Sequence, residues 1–150
     1  MNAKLKTLQI IHFALCGGVF LFALVTIFLN REMMFFDANP ATTAAFNPIF
    51  PVVGLVTLSA GIFFFKNVIS KIDTSDDVDS KISQYQTAFI ISAAMLEGAA
   101  LFNIVGLFLT HNTFFLLFAA VNFIFLVLKR PTKDKLISAL QLQYPDTEAL

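Results

Sequence analysis

Residues 81–129 read KISQYQTAFIISAAMLEGAALFNIVGLFLTHNTFFLLFAAVNFIFLVLK, and between the two terminal lysines the only charged side chain is Glu97. The polar triplet His111, Asn112 and Thr113 divides this stretch into two lengths that each reach across a bilayer, whose core of about 30 Å takes about 20 apolar residues. The predicted spans are 84–110 and 114–128. The second is short, so Lys129 and Arg130 are expected to snorkel to the headgroups.

Upstream, no Asp, Glu, Lys or Arg falls between Lys6 and Arg31, which predicts a first span over 7–30. The uncharged stretch from Ala38 to Phe65 opens with Pro40, Pro48 and Pro51. These breakers suit a loop and a helix start, so the second span is placed at 48–66. At 150 residues, 57% hydrophobic and 13% charged, with a mean hydropathy of +0.78, the chain is far more apolar than a soluble domain. Its net charge of +0, gathered in short clusters, argues against nucleic acid as a partner.

The cations set a direction. Lys4, Lys6, Lys66, Lys71, Lys81, Lys129, Arg130, Lys133 and Lys135 would share one side, against Arg31 alone on the other. The excess of positive charge predicts cytoplasmic N and C termini. The expected fold is an all-α integral membrane protein of the cell's inner (plasma) membrane. It has four transmembrane helices as two hairpins in 1–130 and a cytoplasmic amphipathic tail over 131–150. A secretion or lipoprotein signal cleaved before Cys16 is disfavoured, because Leu15 stands where a small residue is needed and the apolar run continues to Leu29.

An ungapped offset of 80 aligns the first span with the third at ten identities in 24 positions, from Thr7/Thr87 to Leu29/Leu109. Both helices would run the same way, as a duplicated hairpin requires. The repeat retains a small-xxx-small pair, Ala14 with Gly18 and Ala94 with Gly98, which lets helix backbones approach closely. Spans one and three are expected to touch, within a chain or between subunits.

Glu97 lies near the middle of its span, where an ionised carboxylate costs at least several kcal/mol. It should therefore carry a proton, meet a partner or face a water-filled cavity. His12, the nearest cationic candidate, lies about 7.5 Å shallower by helix rise. Helical angles put Ser92, Ala99, Asn103 and Gly106 on one stripe and Glu97 on the other side, giving span three two packing faces and favouring an oligomer. In a purely structural role, Glu97 would hydrogen-bond across helices to groups such as Asn103, Asn122 or Thr57.

The segment Phe89-Ile-Ile-Ser-Ala-Ala-Met-Leu-Glu97-Gly-Ala-Ala-Leu-Phe-Asn-Ile-Val-Gly106 resembles the carboxylate helix of the c-type proteolipid ring subunits of rotary ATPases. In that family the carboxylate sits mid-helix among small residues, on a helix that leaves a cytoplasmic polar loop and runs outward. The resemblance implies an ion-carrying role for Glu97, with spans two and three as the equivalent hairpin. Span two departs from the family's dense glycine repeat, offering Gly54 and Gly61, and the loop reads Asp73-Thr-Ser-Asp-Asp-Val-Asp79 in place of an Arg-Gln pair.

That acidic loop lacks the glycine and terminal glutamate of an EF-hand, so no metal site is expected. Ser75 is predicted to cap the third helix, with Asp76 and Asp77 in its first turn. Val78, Ile82, Tyr85 and Phe89 continue an apolar stripe below the span. In the tail, Leu136, Ile137 and Leu140 share one face, suited to lying on the membrane or docking a partner. His111 reads as a solvated loop histidine and Cys16 as an inert thiol.

No nucleophile and base pair or phosphate loop appears, so neither an enzyme nor a cofactor is expected. The first functional expectation is proton or cation coupling through Glu97 in an oligomer. The alternative is a structural or accessory membrane subunit in which Glu97, Ala14, Gly18, Ala94, Gly98, Asn103 and Asn122 pack helices. Both expectations name the bilayer, and a second copy or another membrane protein, as partners.

Overall fold

The computed structural model describes residues 3–39, 46–144 and 146–149. Five α-helices fill them: α1 (Ala3–Asn30), α2 (Phe46–Ile69), α3 (Val78–Thr110), α4 (Phe114–Leu128) and α5 (Lys133–Leu140). Among the described residues, α1, α2 and α3 are each long and apolar enough to cross a membrane. At 15 residues, or about 22 Å at 1.5 Å per residue, α4 reaches that length only together with α5, from which it is bent by 81°. The four expected spans are thus three to four.

Helix α3 is the axis of the bundle, packing against all four other helices. Its stripe of Ile82, Tyr85, Phe89, Leu96, Ile104 and Leu107 is almost completely shielded. On its α2 side, Gly61 lets the backbones close in, so that the Ser92 hydroxyl donates to the Gly61 carbonyl at 2.7 Å. One helical repeat away, Gly54 faces Asn103 and Asn122. The two glycines of α2 therefore serve one close approach to α3.

Spans one and three touch within the chain, as the repeat led us to expect. Helix α1 packs along α3 and more lightly on α4, without substantial contact to α2. The cause is the route taken after Arg31. Phe35 pairs with the turn between α3 and α4, its amide donating to His111 O at 3.1 Å and its carbonyl accepting from Thr113 N at 2.8 Å. The connection is thereby carried across the end of α3 before it enters α2.

Asn112 is the hub of that crossing. Fully buried, it accepts from the Asp37 and Phe114 amides at 3.0 Å each, and donates to Asp37 O at 2.7 Å and Asn47 Oδ1 at 3.2 Å. His111 adopts φ 61 as the C-cap of α3, and its Nδ1 is buried without a hydrogen bond. Its side chain is half-buried where a fully solvated one was expected.

Helix α2 begins earlier than predicted, at Phe46, and places Pro51 inside the helix. Pro48 falls in the first turn, where backbone amides have no helical acceptor, so it costs no bond. Pro40 lies outside the described residues. The cap of α3 is a correction: Asp77, not Ser75, accepts from the Ser80 amide. Ser75 instead gives its amide and hydroxyl to Asp73 at 2.8 and 2.7 Å, which holds that carboxyl below the usual range.

The tail helix is neither free nor open for a partner on its apolar face. Leu136 and Leu140 are buried, in one cluster with Leu5 and Leu8 of α1 and Ile82 and Tyr85 of α3. Thr132 caps α5 through the Lys135 amide, and Gln141 ends it in the left-handed region at φ 52. Lys135 Nζ then donates to the carbonyls of Leu128 and Arg130 at 2.7 and 3.0 Å, tying α5 to the end of α4.

Polarity is distributed inside out. His12, Asn30, Asn47, Ser92, Asn103, Asn112 and Asn122 are buried, while Phe13 is 80% and Phe63 72% exposed. A water-soluble bundle arranges these classes the other way round.

Candidate functional site

Glu97 sits half-buried on α3, in the seam with α1. A Cβ on Gly18 would lie 3.6 Å from its Oε1, an ordinary contact distance, so the absent side chain of Gly18 is what leaves the carboxyl uncovered. Among the described residues no hydrogen bond or ion pair reaches that carboxyl.

Of the small residues around Glu97, Ala93, Ala99 and Ala100 are buried, whereas the small-xxx-small pairs are turned outward. Ala14, Gly18, Ala94 and Gly98 are all exposed, and a Cβ on Gly98 or on Gly17 would meet nothing within 4 Å. Spans one and three do touch, but the small-xxx-small pairs do not make the buried part of that contact. They form a shallow strip on the outer face of the α1/α3 pair, with Glu97 beside it. At these four positions nothing larger than a methyl group projects, so another helix could come within hydrogen-bond reach of the carboxyl.

Asn103 and Asn122 lie elsewhere. Both are fully buried; Asn103 Nδ2 donates to Ala99 O at 3.0 Å and Asn122 Nδ2 to Phe118 O at 2.8 Å. They meet at Gly54, whose added Cβ would run into Asn103 Nδ2 and lie 3.3 Å from Asn122 Nδ2. Their Oδ1 atoms are left without donors. Ser92, Ala99 and Asn103 share this shielded side of α3, and Gly106 packs on Phe50 and Phe115. The two faces of α3 are therefore chemically distinct: a sealed amide face, and an open carboxylate face.

His12 is buried at 7% exposure and spends its Nε2 on the Leu126 carbonyl of α4, at 2.8 Å. A carbonyl only accepts, so that nitrogen carries the hydrogen. Cys16 Sγ lies 3.7 Å from the same Nε2. His12 is thus engaged as a helix-to-helix tie, and no salt bridge joins it to Glu97. Among the described residues, no group of three or more His, Cys, Asp or Glu could hold a metal ion.

Two groups escaped the sequence reading. Asn112 looked like a turn former, and only the crossing strand reveals its four hydrogen bonds. The ring contacts of Lys129 are the second: its Nζ stands 3.5 Å from the Phe65 ring centroid and 5.9 Å from that of Phe89. The signal available beforehand was the run Phe63-Phe64-Phe65 at the end of the span that neighbours Lys129.

No family model, curated protein or solved structure matches this chain, so the likeness to proteolipid ring subunits rests on the residues around Glu97 alone.

Proposed function

We propose that this chain is a polytopic membrane protein in which Glu97 takes up and releases a proton or a small cation at a contact between subunits. The inside-out polarity of the bundle supports the membrane setting. The observation that carries the functional reading is the unpartnered Glu97 carboxyl, half-exposed mid-helix beside a strip of small residues. A carboxyl meant only to hold the chain's own helices together would be bonded to one of them. An exchangeable site needs an accessible carboxyl and room for an approaching group, and both are present.

The exposed pairs Ala14/Gly18 and Ala94/Gly98 favour a second reading, in which Glu97 hydrogen-bonds a partner subunit without moving ions. One experiment separates the two. Native membranes are treated with a hydrophobic carbodiimide across a range of pH, with Glu97→Gln as the blank, and proton flux is followed in vesicles. Ion coupling requires labelling at Glu97 that titrates away as pH rises, and loss of flux in the Gln variant with assembly retained. Absence of labelling at every pH, or full flux in the Gln variant, overturns the coupling reading.

A further inference from the structure

At the end of the bundle where α5 docks, a cavity of about 480 Å³ opens between α5 and the ends of α2, α3 and α4. Phe65, Tyr85, Lys129, Asp134, Lys135, Ser138 and Ala139 line it. Its size falls in the range of small-molecule sites. Of its polar groups, Lys129 and Lys135 only donate, Tyr85 and Ser138 can donate, and Asp134 accepts. Lys129 Nζ has no oxygen acceptor among the described residues, only the ring faces of Phe65 and Phe89. Lys135 spends two donors on the carbonyls of Leu128 and Arg130 and has a third left. Tyr85 is 3% exposed, and its hydroxyl makes no hydrogen bond within the described chain.

A half-buried ammonium without an anion and a phenol hydroxyl that opens on the cavity without an acceptor suit the same complementary component, an anionic oxygen cluster. We propose that the cavity binds the phosphate of an anionic phospholipid headgroup, held by Lys129 and Lys135 with the Tyr85 hydroxyl as a further donor. Phe65, Tyr85 and Lys129 stand at the ends of three predicted spans, which is headgroup depth. Lys66, Arg130 and Lys133 lie next to lining residues in sequence and extend the positive field, whereas Asp134 is the one acidic group on the wall. The apolar surfaces of Phe65 and Ala139 suit the first methylenes of a lipid's acyl chains, which a free ion lacks. The inference rests on the membrane setting but not on any role of Glu97.

The test is native mass spectrometry of the delipidated full chain in detergent, titrated with phosphatidylglycerol, phosphatidylcholine or inorganic phosphate. Phosphatidylglycerol should bind in preference to phosphatidylcholine, and Lys129→Gln should weaken it about fivefold, as expected for one cation near a lipid phosphate. Lys135→Gln also removes the tie to α4, so Asp134→Asn is the control that misfolding cannot imitate: it should tighten binding. Tyr85→Phe should weaken binding without unseating α5. Equal binding of the two lipids, or unchanged affinity in Lys129→Gln and Asp134→Asn, overturns the proposal. Inorganic phosphate binding as tightly as the lipid overturns the lipid assignment in favour of a soluble phosphate. Alkaline carbonate extraction of native membranes tests the setting separately: release of the chain would remove the membrane reading, whereas retention without lipid selectivity removes this site alone.

Discussion

Asn112 and Asp37 meet edge to edge: Asn112 Nδ2 donates to the Asp37 carbonyl at 2.7 Å, and the Asp37 amide donates back to Asn112 Oδ1 at 3.0 Å. A side-chain amide thus pairs with the backbone as a neighbouring strand would, and it fixes where the connection crosses α3. Asn112→Asp replaces the donor with a second acceptor facing Asp37 O and Asn47 Oδ1. Two buried acceptors would be left opposed by a third, at a cost of about 2–4 kcal/mol. Unfolding in mixed detergent and dodecyl sulfate micelles should show that loss; an unchanged midpoint would mean the crossing does not depend on this pairing.

Gly54 is predicted to be intolerant of even one methyl group. Its Cβ would run into the Asn103 amide, and Asn103 is fully buried with nowhere to turn. Gly54→Ala should destabilise the bundle by about 1–3 kcal/mol, the usual range for overpacking. Because the clash is with a side chain, Asn103→Ala in the same chain should restore part of the loss. Additive losses in the double variant would argue against the contact.

Gly18 tests access to Glu97 without altering charge. A leucine at Gly18 would extend from a point 3.6 Å from Glu97 Oε1 and cover the carboxyl from the α1 side. Carbodiimide labelling of Glu97 should slow markedly in Gly18→Leu and little in Gly18→Ala. Equal rates in both variants would place the route to the carboxyl elsewhere.

Lys129 should give the chain a pH signature. Burial, and then the neighbouring Lys135 charge, push its ammonium from 10.5 down to about 8, against the pull of the Phe65 and Phe89 ring faces. Asp134 and Lys135 of α5 and Tyr85 of α3 face the same cavity. Between about 8 and 10.5 the unfolded chain holds more protons than the folded one, so stability should rise with pH through that window. Below it both states are protonated and the slope vanishes. Unfolding midpoints of the lipid-free chain across this range should show the rise, and Lys129→Gln should flatten it.

The helices were legible because their signal is apolar length: α3, the break at 111–113 and α4 follow from where charges are missing. The two faces of α3 were legible too, since helical angle alone separates Glu97 from Asn103. The route of the chain was not. The contact of α1 with α3 could be read from the repeat, but the crossing held by Asn112 and Asp37 could not, since it joins residues 75 positions apart with no periodic trace. The small-xxx-small pairs were found but their direction was not, because a stripe that packs inward and one left open outward have the same spacing. Ser75 and Asp77 are equally good caps by residue type, and the choice fell to Asp77 once Asp73 had engaged Ser75.

The packing of α1 on α3 instead of α2 also has a bearing on how the chain is made. When the ribosome has released the first two helices, α1 still has no surface to settle on, because its docking partner lies in residues not yet translated. Assembly must wait until α3 has emerged, so the order of synthesis and the order of packing differ. A nascent chain stalled before residue 78 would leave α1 and α2 as separate helices, and only the arrival of α3 would gather them into one bundle.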